Sequence, residues 1–263
     1  MEFFAISNGI PIHILDTKKG DTTILLLHGY LETLYIYTEF IELLQNKYRV
    51  IAIDLPGHGL SGSNKEINTI DFSAAVAADV LNICKVNTPV YVAGHSMGGY
   101  VAQECIKLFS GAFKGLILLN STPFADSPNK KQDRLREIEL INSAKLNTLA
   151  ALSIPRMYAT ENLRRMDSKI EETIEITEAH DPNGIVACIR GLMERPDNTE
   201  FLATLDKFLF VFGDRDKFIT KEKVTELTAK YPQAITVVIL GTGHNTFIEE
   251  QGKTVAAIEA FIG

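Results

Sequence analysis

The chain has no tryptophan, only three cysteines among its 263 residues, and no excess of positive charge. Cys84, Cys105 and Cys188 are odd in number and widely spaced, a pattern that fits neither a disulfide framework nor a zinc site. All three fall in apolar stretches that read as helical, so they are expected to be small buried hydrophobes. Lys and Arg total 26 against 33 Asp and Glu, a formal net charge of -7. That balance argues against a nucleic-acid partner, which would favour a basic face. No block of like charge suggests a binding tail. No apolar run is long enough to cross a bilayer, so no membrane association is expected. The opening residues Met1 to Gly9 lack a basic region before an apolar run and soon reach the turn signal Asn8-Gly9. They do not read as a signal peptide, and the expected location is the cytoplasm. Internal repeats and low-complexity segments are absent too.

What is present is a 46% hydrophobic composition, enough for one α/β domain with its own core. Eight stretches read as strands: Phe3 to Ile6, Ile10 to Leu15, Thr22 to Leu27, Val50 to Asp54, Val90 to Ala93, Gly115 to Leu119, Phe208 to Phe212 and Ile235 to Leu240. The first two flank Asn8-Gly9 and form a hairpin. The later runs are continuously apolar, as strands covered by helices on both faces must be. Helical stretches alternate with them at Ile70 to Cys84, Met97 to Phe109, Lys221 to Lys230 and Thr246 to Ile262. The expected fold is therefore α/β, a doubly wound, mostly parallel sheet of about eight strands. Residues 124–204 break the rhythm. They hold no strand signal, are densely charged, and are interrupted at Pro155, Pro182 and Pro196. They read as a helical lid inserted into a core of residues 1–123 and 205–263.

The sharpest chemical signal is Gly94-His95-Ser96-Met97-Gly98, placed between a buried strand and a helix. A serine on such a turn is held in a strained backbone conformation that leaves no room for side chains two residues to either side. The turn exposes the Ser96 hydroxyl and aims the Met97 amide at a bound carbonyl oxygen, with the helix N-terminus adding positive potential. A serine needs a base, and the base an orienting carboxylate. Of six histidines, His244 lies in the loop after the last strand, where sites of doubly wound sheets gather. His95, beside the serine, is expected to point away from it and to have a structural role. Gly213-Asp214-Arg215-Asp216 follows the preceding strand and offers two carboxylates, which local chemistry does not separate. The His28-Gly29 loop after the third strand supplies a second oxyanion donor, the Tyr30 amide, with His28 holding the loop.

Together these pieces resemble the α/β-hydrolase superfamily. The match includes His28-Gly29, the segment from Asp54 to Ser61, Gly94 to Gly99, Gly213 to Asp216, and Gly243-His244, in the superfamily order Ser, Asp, His. The resemblance ranks Asp216 above Asp214 and makes residues 124–204 a cap over the pocket. The stretch from Cys188 to Asp197 looks like a cap segment of esterase, lactonase and carbon–carbon hydrolase members. Leu31-Glu32-Thr33 departs from relatives that carry further glycines there, and Tyr37 replaces a tryptophan. Serine at position 96 disfavours relatives with an aspartate nucleophile. The expected activity is hydrolysis of a small to medium carboxylic ester, thioester or lactone through an acyl-enzyme on Ser96. Phe124, Met157, Tyr158 and Met193 are expected to line the substrate pocket. No metal or organic cofactor is expected, and the chain is expected to be a monomer or homodimer acting on a small molecule. Carbon–carbon cleavage, lyase or perhydrolase chemistry on the same triad, and a non-enzymatic ligand receptor, are the alternatives.

Overall fold

The alternation of apolar and amphipathic stretches becomes one sheet flanked by helices. The computed structural model describes residues 1–64 and 66–263. Among these, the strands are β1 (Glu2–Ser7), β2 (Ile10–Asp16), β3 (Thr23–Leu27), β4 (Arg49–Ile53), β5 (Val90–His95), β6 (Gly115–Leu119), β7 (Leu209–Gly213) and β8 (Ile235–Ile239). They lie side by side in the order β1-β2-β4-β3-β5-β6-β7-β8. The pairings of β2 with β1 and with β4 are antiparallel, and all others are parallel. Asn8 and Gly9 have φ of 49° and 86°, the left-handed pair a two-residue hairpin turn requires.

Every residue of β3, β5, β6 and β7 is buried. Alternation along β3 sends Ile24 and Leu26 into one apolar cluster and Leu25 and Leu27 into another. Burying each such side chain contributes about 1.5–3 kcal/mol. The expectation of two-sided burial fails at β8. It is the edge strand, and its Ile235 and Val238 are 38% and 43% exposed. Its apolar character reflects β-branched strand preference rather than cover on both faces.

Before the site come α1 (Thr38–Leu44), α2 (Ile70–Ile83) and α3 (Met97–Leu108). Thr69 caps α2 by accepting the Phe72 amide at 3.1 Å. The connection from β6 to β7 holds α4 (Pro128–Asn142), α5 (Leu146–Ser153), α6 (Asp167–Glu178), α7 (Pro182–Glu194) and α8 (Thr199–Ala203), and no strand among its residues. Pro128 and Pro182 open α4 and α7 behind the N-caps Ser127 and Asp181. Next are α9 (Lys221–Lys230), α10 (Thr246–Glu249) and α11 (Gln251–Ile262). The single closing helix expected from Thr246 to Ile262 is thus two, parted at Glu250, whose φ is -142°.

Helix α7 of the connection is tied closely to the core. Ile185 and Ile189 of α7 join one apolar cluster, Cys188 and Leu192 the other. A Cβ on Gly184 would sit 2.7 Å from the Gly57 carbonyl oxygen, and one on Gly191 would sit 1.8 Å from that of Asn68. Backbone meets backbone at both points, and the Asn68 amide donates to the Ala187 carbonyl at 3.0 Å.

Candidate active site

The turn from β5 into α3 holds Ser96 at φ 47°, ψ -110°. That is a costly conformation for a residue with a side chain, maintained by what surrounds it. The Ser96 amide donates to the Leu119 carbonyl at 3.0 Å, and Ser121 Oγ donates to the Ser96 carbonyl at 2.8 Å. A Cβ at position 94 would lie 2.1 Å from the Gly98 carbonyl oxygen, and one at 98 would lie 2.0 Å from that of Leu27. The two glycines are therefore required by close approach. Among the described residues, neither the Met97 nor the Tyr30 amide donates to a protein acceptor. Both remain free to bind an oxyanion.

His244 and Asp216 are paired. His244 Nδ1 donates to Asp216 Oδ2 at 2.7 Å. The carboxylate is saturated by further donors: Asn120 Nδ2 to Oδ2 at 2.9 Å, and the Phe218 and Ile219 amides to Oδ1 at 2.7 and 3.0 Å. Burial alone would raise the Asp216 pKa, but the His244 charge and these donors bring it below the ordinary 3.8. For His244, burial presses the other way, yet the Asp216 carboxylate outweighs it and lifts the pKa above 6.5. Asp214 is turned elsewhere: its Oδ1 accepts the Gly241 amide at 2.6 Å. Of the two carboxylates that local sequence chemistry did not separate, Asp216 is thus the one that meets His244. No hydrogen bond joins Ser96 Oγ to His244 among the described contacts; in free hydrolases this contact commonly tightens only with substrate.

Three buried residues that carry no spacing signal hold this arrangement. Glu32 Oε2 accepts the Gly29 amide at 2.6 Å and His95 Nδ1 at 2.9 Å. His95 Nε2 donates to the His244 carbonyl at 3.0 Å, the structural role expected of it. Asn120 Nδ2 also donates to the Gly243 carbonyl at 3.2 Å, while its Oδ1 accepts from Thr246 Oγ1 at 2.9 Å. Glu249 accepts the Gly243 amide at 2.6 Å and the Ala159 amide at 2.9 Å. The Met157 carbonyl accepts the His244 amide at 2.7 Å. His28 behaves as expected. Its Nδ1 donates to the Gly29 carbonyl at 2.8 Å and its Nε2 accepts the Leu55 amide at 2.9 Å, tying the loops after β3 and β4 together.

Ser96, His244, Met97, Tyr30 and Met157 line one cavity of about 450 Å³, within the range of small-molecule sites. Three other expected pocket residues do not line it. Tyr158 is fully buried in the apolar core, and Met193 packs against the same cluster. The Phe124 ring lies under Lys223 Nζ, 4.6 Å from it. The core takes up these large apolar side chains. The cavity instead receives polar and charged groups from the β6–β7 connection, Asp126, Lys130, Arg134, Glu137 and Arg195 among them. The wall expected to be apolar thus mixes these charged groups with apolar ones such as Met157, Phe218 and Ile219.

Residues 22–251 match the model of the alpha/beta hydrolase fold family, and the chain belongs to it. A pimeloyl-[acyl-carrier protein] methyl ester esterase of Stenotrophomonas maltophilia is 25% identical over 95% of this chain and 96% of its own length. Among solved structures, a thermophilic esterase from Thermogutta terrifontis, in a malate-bound study, superposes with a TM-score of 0.92 at 27% identity. That match covers 100% of this chain and 98% of the esterase. The enol-lactonase from Burkholderia xenovorans LB400 has the same fold, with a TM-score of 0.89 at 19% identity over 98% of this chain and 99% of that one. The protein is an α/β-hydrolase enzyme. Among the described residues no helix is long and apolar enough to cross a membrane.

Proposed function

We propose that the protein hydrolyses a carboxylic ester, thioester or lactone through an acyl-enzyme on Ser96. The observation that carries this reading is the buried 2.7 Å Asp216–His244 pair opening onto the same cavity as the strained Ser96. Relatives named as ester hydrolases support the reaction class. Ser96 Oγ attacks the substrate carbonyl and gives its proton to His244 Nε2. The Tyr30 and Met97 amides bind the oxyanion, and Asp216 balances the imidazolium. The imidazolium then protonates the departing alkoxide or thiolate, leaving the acyl group on Ser96. Water, deprotonated by His244, attacks that ester and releases the acid. In this reading residues 124–204 act as a cap, because much of the cavity wall comes from α4 and the segments around Met157 and Arg195.

Labelling with a fluorophosphonate probe tests the mechanism. Wild-type protein should be labelled at Ser96 and should turn over p-nitrophenyl esters, while Ser96→Ala should be unlabelled. Labelling that persists in Ser96→Ala, or wild-type protein inert to both probe and esters, overturns it.

A further inference from the structure

The charged wall of the cavity is not electrically balanced. Arg195, Asp126, Arg134, Glu137 and Lys130 form a line of alternating sign. Arg195 Nη1 meets Asp126 Oδ1 at 2.6 Å, and Arg134 Nε meets Asp126 Oδ2 at 3.4 Å. Arg134 Nη1 meets Glu137 Oε2 at 3.0 Å, and Lys130 Nζ stands 4.0 Å from Glu137 Oε1. Lys217 lines the same cavity; its Nζ donates to the Tyr158 carbonyl at 3.2 Å and has no carboxylate within ion-pair distance among the described residues. Four cations and two carboxylates therefore face the space that Ser96 and His244 share. The surplus is positive in a chain whose net charge is -7.

The two guanidinium groups are already engaged. Asp126 binds both, and their planes lie over aromatic rings, Arg134 5.2 Å from the centre of Tyr30 and Arg195 4.1 Å from that of Tyr100. They are fixtures of the wall. The ammonium groups of Lys130 and Lys217 are left as point charges with loose partners. Burial, followed by the repulsion of Arg134, lowers the Lys130 pKa, and a nearby anion would relieve that cost. An ammonium point charge suits a compact monoanion such as a carboxylate, and the guanidinium forks that would hold a planar or tetrahedral anion bidentately are already occupied.

We infer that the preferred substrate is an ester of a dicarboxylic acid, whose second, free carboxylate lies between Lys130 and Lys217 while the ester carbonyl is held at Ser96. The inference rests on the serine-hydrolase reading and names the substrate class for that site.

Monomethyl adipate and methyl hexanoate test it, because they have the same chain length and leaving group and differ by the terminal carboxylate. The ratio of their kcat/KM values, read by methanol release, should favour the adipate ester by roughly two- to fivefold at low salt, as expected for a partly exposed ion pair. The preference should shrink as salt is added. Lys130→Gln and Lys217→Gln should each lower the ratio, mainly through KM for the acid ester, and Lys130→Glu should invert it. The acid ester should also protect Ser96 from fluorophosphonate at lower concentration than the neutral one. A wild type that is labelled at Ser96 but shows equal or weaker turnover and protection with the acid ester overturns this inference and leaves the serine-hydrolase reading intact. A preference unmoved by the lysine variants also overturns it. Failure of labelling and of both esters overturns both readings.

Discussion

The carboxylate of Glu32 and the imidazole of His95 meet at 2.9 Å with neither side chain exposed to solvent. Both nitrogens of that ring face oxygen acceptors, Glu32 on one side and the His244 carbonyl on the other. The ring thus bridges two acceptors on different loops. Burial opposes the Glu32 charge, but the His95 charge outweighs it and leaves the Glu32 pKa below 4.5. Glu32 also accepts the Gly29 amide. One buried Glu32–His95 contact thus couples the loop carrying the Tyr30 amide to the loop carrying His244.

Breaking that coupling should displace two elements of the proposed mechanism at once. His95→Gln and Glu32→Gln are expected to lower kcat by on the order of tenfold to a hundredfold, the effect of a small misplacement of reacting groups. KM should change much less. Glu32→Ala, which strands a buried charge, should in addition destabilise the fold by about 3–5 kcal/mol. Steady-state kinetics beside denaturant unfolding separates the two effects, and unchanged kcat in the Gln variants would remove the positioning role.

In the proposed mechanism His244 must be neutral to accept the Ser96 proton. Its pKa lies above the ordinary 6.5 because burial, which lowers it, is outweighed by Asp216. The pH profile of kcat/KM should therefore rise through an acid limb centred above 6.5. Asp216→Asn should lose on the order of 10⁴-fold in kcat, with the limb moved to lower pH. Asp214→Asn, which weakens the bond from the Gly241 amide and removes the 3.5 Å Arg215 ion pair, should lose far less. A larger loss at position 214 would reverse the assignment.

Acid stability should depend on a pair far from the site. Asp16 binds Arg49 through two contacts, Oδ1 to Nε at 3.0 Å and Oδ2 to Nη2 at 2.6 Å. Burial works against the carboxylate, yet Arg49 and Lys18 bring its pKa from 3.8 to about 2. A carboxylate whose pKa is depressed on folding stabilises the native state above its unfolded pKa. That contribution fades as pH falls from 3.8 towards about 2. Asp16→Asn should lower stability at neutral pH and lose less than wild type across that window. Urea unfolding at both pH values checks it, and parallel losses in the two proteins would exclude Asp16 as a source.

The parts of this molecule legible in the sequence were those encoded by neighbouring residues. Continuous apolar runs located eight strands to within a residue or two, and glycines two residues either side of Ser96 marked the turn. Helix α1 went unseen because Thr38–Leu44 is short and follows other apolar residues without a punctuating cap. The pocket wall was misassigned for a different reason. Apolar character identifies the face a helix buries, and for Tyr158 and Met193 that face was the core. The dense charge of the same segment, to which the sequence assigns no role, contained charged groups that line the cavity. Glu32, Asn120 and Glu249 act through partners distant in sequence, and no spacing announces such a contact. Glu32 stood out only as a departure from relatives with glycine there.

The close approach of Gly184 to Gly57 and of Gly191 to Asn68 bears on how this protein can be altered. Helix α7 supplies side chains to both apolar clusters, so residues 124–204 are not a detachable accessory. Excising them would open the core as well as uncover the cavity. Exchange of specificity with a relative should succeed when α4, α5 and the turns between them are transplanted and α7 stays with its own scaffold. In heritable terms, the residues that face substrate are free to drift while the helix behind them is held by its neighbours' backbone. Diversification of this enzyme should therefore run along one side of the β6–β7 connection.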